Sequence, residues 1–154
     1  MFTWLILPFT FVMVYSHCAY SSGPDIFKFL QGLCTNDFNL LDTAEDDCTQ
    51  ISGLATAFLN PKGRIICEAI ATRNCSRHGN SEPEVLLDLG IDSIPPLLKH
   101  LRMHKLRKKI QMEDATETYG VVAFAGGHAQ ETVMTAVSSV LQPEAPWSVV
   151  VDPR

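Results

Sequence analysis

The tetrapeptide Asn60-Pro61-Lys62-Gly63 constrains this chain more than any other stretch. Asn first, Pro second and Gly fourth are the residues of a type I turn. Apolar runs flank it on both sides, from Gln50 to Leu59 and from Arg64 to Ala71. Residues 50–71 therefore read as a β-hairpin.

The pattern after the hairpin is regular. Val85–Leu89 reads as a strand. Asp92 or Ser93 can cap a helix whose first turn holds Pro95 and Pro96, with Leu97, Leu98, Leu101 and Leu106 on its apolar face. Lys108–Glu113 and Thr118–Phe124 read as strands, His128–Leu141 as a helix, and Ser148–Val151 as a last strand. This β-α-β-β-α-β order predicts an α+β fold of the split, ferredoxin-like kind, with two helices on one face of an antiparallel sheet. Ahead of the hairpin, Gly23-Pro24-Asp25 has the residues of a helix start. Ile26, Phe29, Leu30 and Leu33 follow at helical spacing, and Thr35-Asn36-Asp37 ends the helix. Residues 42–50 and Asn74–Pro83 read as polar loops, and no internal repeat is present.

A chain of 154 residues can bury one real core and is too short for two full-sized domains. Its net charge of −5 argues against a general nucleic-acid binder. Half of its twelve basic residues, however, fall in one short run: Lys99, Arg102, Lys105, Arg107, Lys108 and Lys109. Such a run is ordinarily the wet face of an amphipathic helix; a polyanion or an acidic partner protein is the alternative. The five cysteines (Cys18, Cys34, Cys48, Cys67 and Cys75) contain no CxxC pair, so reduced, partly buried thiols are expected and no metal cage.

Phe2–Tyr15 carries no charge over fourteen residues. A membrane span needs about 20 apolar residues, so no stable span is expected. The length suits a signal-peptide core with cleavage near Ser16-His17-Cys18, but no basic flank precedes it, and a presequence rich in Arg is equally absent. Residues 1–22 are accordingly set apart as an atypical segment from a domain at 23–154.

No nucleophile elbow, Walker loop, HExxH or dinucleotide fingerprint occurs. Ala125-Gly126-Gly127, between a strand and a helix, reads as a tight turn rather than an anion site. Thr35, Asn36 and Asp37 either offer donors and an acceptor to a polar ligand or satisfy backbone at a helix end. Arg64 can grip a carboxylate with two parallel hydrogen bonds. Glu68, four residues on, shares a strand face with it and is its alternative partner. His100 and His104 stand four apart on a helix, the spacing of a two-ligand metal site, but with no third ligand near they are expected to face solvent. Phe27, Phe29, Phe38 and Phe58 are expected in the core, a flat aromatic wall for a ligand being the alternative.

Three ordered pieces carry a family resemblance: GPDIFKFLQGLCTND, then AFLNPKGRII, then EVLLDLG followed by LLKHLRMHKLRKKIQMED. Together they resemble the folate-binding iron–sulfur cluster assembly factors related to the T-protein (aminomethyltransferase) of the glycine cleavage system. The resemblance covers residues 23–124. It implies a T-protein-like domain and an accessory role in the assembly of four-iron four-sulfur clusters, with tetrahydrofolate as cofactor and other iron–sulfur assembly proteins as partners. Location in the mitochondrial matrix by way of a transit peptide is implied as well, with secretion as the alternative. Gln31, Thr35, Asn36, Asp37, Arg64 and Glu68 become the expected folate contacts.

The T-protein carries paired aspartates where this chain has Cys67 and Glu68, so aminomethyl transfer is the weaker alternative, beside a secreted or tethered interaction domain. The family's later Lys-Gly-Cys-x-x-Gly-Gln-Glu motif does not occur before Arg154, so an N-terminal portion of such a factor is expected.

Overall fold

A computed structural model describes residues 17–42, 53–74 and 82–121. Five strands, β1 (His17–Ser22), β2 (Leu54–Leu59), β3 (Ile65–Asn74), β4 (Glu84–Leu89) and β5 (Gln111–Asp114), form one sheet in the order β2-β3-β4-β1-β5. Every neighbouring pair is antiparallel. The helices are α1 (Ile26–Gln31), the short α2 (Asn39–Asp42) and α3 (Ile94–Lys105).

The predicted hairpin is present as β2–β3. Gly63 N–H donates to the Asn60 carbonyl at 2.9 Å, and the Asn60 side-chain oxygen accepts from the N–H groups of Lys62 and Arg64. Gly63 has φ +74, a left-handed conformation that costs glycine least.

Period-two burial divides the sheet. Leu54, Thr56 and Phe58 of β2 lie opposite Ala71, Ala69 and Cys67 of β3, all buried. With Val85, Leu87 and Ala19 they meet Ile26, Phe27, Phe29 and Leu30 of α1 and Ile94, Leu97, Leu98 and Leu101 of α3 in one core. Phe38 and Phe58 are fully buried, and Phe27 and Phe29 nearly so, as expected of core aromatics. The other face carries Cys18, Tyr20, Ile70, Thr72, Leu86 and Asp88, aligned by the register of β1, β4 and β3. Tyr119 stacks on Tyr20 there, with ring centroids 6.5 Å apart, and its hydroxyl accepts from the Asn74 amide, which also donates to Glu84.

Four expectations change. The segment set apart at 1–22 contains β1, which lies between β4 and β5 with Ala19 fully buried; HCAYSS has no apolar alternation to announce it. Leu106 is not on the apolar face of α3. It is 86% exposed at φ +48, just past the last helical turn. The strand expected from Lys108 begins only at Gln111. Thr118 and Tyr119 close a turn on the Ala115 carbonyl instead of opening a strand, while residues 122–124 of the expected Thr118–Phe124 strand lie outside the described residues. The expected helix His128–Leu141 and strand Ser148–Val151 lie outside the described residues, as does Ala125-Gly126-Gly127.

The β4–α3–β5 crossover passes over the inserted β1, which α3 contacts. Among the described residues no helix is long and apolar enough to cross a membrane.

Candidate functional site

β2 is an edge strand, and its outer side would leave N–H and C=O groups unpaired. The segment after α1 lies along that side. Leu59 N–H donates to the Leu33 carbonyl at 3.2 Å, Thr35 N–H donates to the Ala57 carbonyl at 3.0 Å, and Cys34 bridges to Phe58. Side chains complete the pairing. Thr35 Oγ1 accepts from Ala57 N–H at 3.0 Å, and Asn36 Nδ2 donates to the Ala55 carbonyl at 2.8 Å. Thr35 and Asn36 therefore act as a short false strand, sealing a sheet edge about two dozen residues later in the chain.

The same loop is braced from within. Gln31 Oε1 accepts from Phe38 N–H at 2.6 Å, and Asn36 Oδ1 accepts from Asp37 N–H at 2.8 Å. Asp37 Oδ1 accepts from both the backbone and the side-chain amide of Asn39, at 3.0 and 2.8 Å, starting α2. These bonds leave particular atoms over. Among the described residues the second Asp37 carboxylate oxygen and the Gln31 amide nitrogen make no hydrogen bond to protein, and Asp37 is exposed.

Arg64 and Glu68 stand on the adjoining hairpin. Arg64 belongs to the turn, its backbone held by Asn60 and its side chain exposed. Glu68 lies opposite Ala57 in the β2–β3 register, on the sheet face away from the helices. The alternative reading, a mutual ion pair, does not form among the described residues, because Arg64 precedes the strand and the register shifts at Leu59. Thr35 and Glu68 flank Ala57 on either side, about 10 Å apart at two strand spacings. Asp37 and Arg64 lie toward opposite ends of β2, separated by at least the roughly 13 Å of four strand residues from Ala55 to Leu59. The structure thus unites Gln31, Thr35, Asn36 and Asp37 in one network, with Arg64 and Glu68 on the neighbouring hairpin and no contact between the two groups.

The histidines depart from expectation. His100 is 5% exposed, its ring centroid 4.3 Å from that of His104, and its Nε2 has no partner among the described residues. Burial, then the charge of His104, lowers its pKa, while the nearby Leu59 carbonyl acts the other way. His104 is half-buried, its Nδ1 2.8 Å from the His100 carbonyl oxygen, which can only accept; the proton therefore sits on Nδ1. No group of three metal-ligating side chains occurs among the described residues.

Cys18, Cys34 and Cys67 are free thiols. Burial pushes Cys18 up to about 11, helped by Asp88, and Cys67 up to about 11. Burial also raises Cys34, whose S–H donates to the Asn36 carbonyl at 3.3 Å. All three are protonated at neutral pH and so are weak nucleophiles.

No family model matches the chain. Curated relatives do. It is 30% identical over 125 residues to the iron-sulfur cluster assembly factor IBA57 homolog, mitochondrial, of Mycosarcoma maydis, covering 81% of this chain and 31% of the relative. The homologue of the same name in Dictyostelium discoideum is 27% identical over 147 residues, 86% of this chain and 35% of the relative. That of Aspergillus oryzae is 33% identical over 102 residues, 63% and 23% respectively. The chain spans about a third or less of the length of these relatives. Their shared designation as mitochondrial supports a mitochondrial location for this chain.

Proposed function

We propose that this chain is an accessory factor for the assembly of four-iron four-sulfur clusters in the mitochondrial matrix, working with other assembly proteins and with tetrahydrofolate. The observation that carries the reading is its similarity, over 81% of its length, to a protein named as an iron–sulfur cluster assembly factor. The cluster is cargo here: the described residues hold no ligand set of their own for it.

The folate part of the reading rests on what the sheet edge leaves over. A pteridine presents adjacent N–H donors, and the unused Asp37 oxygen is an acceptor suited to them. The Arg64 guanidinium, at the other end of β2, suits the glutamate carboxylates of the same molecule. Thr35 and Asn36 position the edge, and Glu68 stands one strand further across. Bound tetrahydrofolate would supply a carrier of one-carbon units; the chain's own residues hold and orient it. Glu68 and Cys67 face opposite sides of the sheet, and Cys67 is buried, so one carboxylate alone reaches the surface where the T-protein uses two. This favours a binding role over aminomethyl transfer. The split β4–α3–β5 arrangement around β1 supports reading the sheet as part of a T-protein-like, ferredoxin-like domain.

Depletion of the protein tests the functional reading. Mitochondrial enzymes with four-iron clusters should lose activity while those with two-iron clusters keep theirs. Equal loss in both classes, or no loss, contradicts it.

A further inference from the structure

The end of α3 and the turn after it form a surface that the folate reading does not use. From Ser93 to Met112 the chain has no acidic residue, while Lys99, Arg102, Lys105, Arg107, Lys108 and Lys109 crowd into this span. All but Lys105, which is half-buried, are exposed. Part of this has a structural cause. Arg102, His104 and Lys105 occupy the last turn of α3, where cations oppose the negative end of the helix dipole, and Arg102 also reaches the Met112 carbonyl at 3.5 Å. Lys108 Nζ sits 5.1 Å from the centre of the Phe29 ring. Lys99, Arg107 and Lys109 have no such role, and form no ion pair among the described residues.

Two apolar side chains stand among these charges: Met103 is 60% exposed and Leu106 is 86% exposed. Leu106 is also the one described non-glycine residue at positive φ, +48. A branched side chain there is strained, and a glycine would end the helix more easily. The turn is nevertheless rigidly seated. Ile110 is buried, and Gly23 packs so closely under the Lys109 carbonyl that a Cβ would come within 2.3 Å of it. Strain, exposure and fixed presentation together mark Leu106 as a residue kept for contact.

We infer that Leu106 and Met103, on the same stretch of α3 and its following turn as the exposed Lys99, Arg107 and Lys109, dock an acidic segment of a partner protein that carries apolar residues of its own. Charge complementarity selects the acidic character; the leucine at the centre selects a protein segment over a bare polyanion. A chain that is acidic overall keeps half of its cations here, which concentrates the attraction at one place.

The test is fluorescence anisotropy with the full chain and a labelled peptide in which Leu recurs every third or fourth position among Glu. A second peptide has Ser in place of Leu; anionic phosphatidylserine vesicles and a single-stranded oligonucleotide complete the set. The Leu peptide should bind, with the Ser peptide about tenfold weaker or more. Leu106→Gly should weaken Leu-peptide binding to a similar degree without lowering the melting temperature, since it relieves the strained backbone. Arg107→Glu with Lys109→Glu should weaken binding further and flatten its salt dependence. Failure of the Leu peptide to bind, equal binding by Leu106→Gly, or tighter binding to vesicles or oligonucleotide overturns the proposal. Loss of folate binding would leave it untouched.

Discussion

Thr35 and Ala57 exchange hydrogen bonds across the outer edge of the sheet. Thr35 N–H donates to the Ala57 carbonyl, and Ala57 N–H donates to Thr35 Oγ1, both at 3.0 Å. A hydroxyl thus stands in for the carbonyl that a real neighbouring strand would offer. Thr35→Val keeps the shape and removes the acceptor, which should cost about 0.5–1.5 kcal/mol. Thr35→Ser should be close to neutral. Urea unfolding distinguishes the two; equal stability of Val and wild type would mean that the hydroxyl is not needed at the edge.

The two left-handed glycines should respond unequally. At Gly63, φ +74 with open space around it, alanine carries only the conformational penalty, about 1–2 kcal/mol. At Gly23, φ +143, alanine also meets the Lys109 backbone oxygen at 2.3 Å, which cannot swing aside as a side chain would. Gly23→Ala should therefore be the more damaging substitution in thermal melts. A reversed order would contradict the close packing of the β1–α1 corner against the turn before β5.

His100 makes stability depend on pH in a known direction. Burial holds its folded-state pKa below the ordinary histidine value. Above about pH 7.5, a unit over the ordinary histidine value, both folded and unfolded forms are neutral, so the group contributes no slope. As pH falls below that value the unfolded chain takes up a proton that the folded one resists, and stability declines. His100→Leu should flatten the part of the stability profile between about pH 7 and about pH 5. An unchanged profile would assign that slope to other groups.

A cut after Cys18 would sever β1 inside the sheet. It would remove the Cys18–Asp88 register pair and the Cys18 carbonyl that accepts from Ala115 N–H at 2.9 Å. A chain starting at Ala19 should melt at lower temperature and with less cooperativity than one starting at His17. Equal melting would show that the first two residues of β1 are dispensable.

The parts of this fold legible from sequence are those set by neighbours along the chain. The β2–β3 hairpin was readable because Asn60, Pro61 and Gly63 specify their turn locally. α3 was readable from its leucine spacing, though not Leu106, whose exposure follows from a backbone turn that apolar periodicity does not register. β1 was hidden because its partners, β4 and β5, are distant in sequence and HCAYSS has no alternation. The candidate site was half visible. The residue types at 31–37 suggested polar contacts, but the bonds of Thr35 and Asn36 run to Ala57 and Ala55, across 22 and 19 residues. Sequence likewise gave no sign that His100 is buried, since a histidine beside an apolar stripe fits either side of it.

Thermal melting during titration with tetrahydrofolate tests the proposed site most directly. Saturation to about a hundred times the dissociation constant should stabilise the protein by about 2.7 kcal/mol. That corresponds to a rise of roughly 5–10 °C for a chain of this size. Arg64→Ala and Asp37→Ala should each reduce the rise. Arg64→Ala should leave the ligand-free melting temperature nearly unchanged because its side chain is exposed, whereas Asp37→Ala should also lower that temperature, because it loses both bonds to Asn39 at the start of α2. No rise at saturating ligand, or an equal rise in both variants, would contradict a folate site along the outer edge of β2.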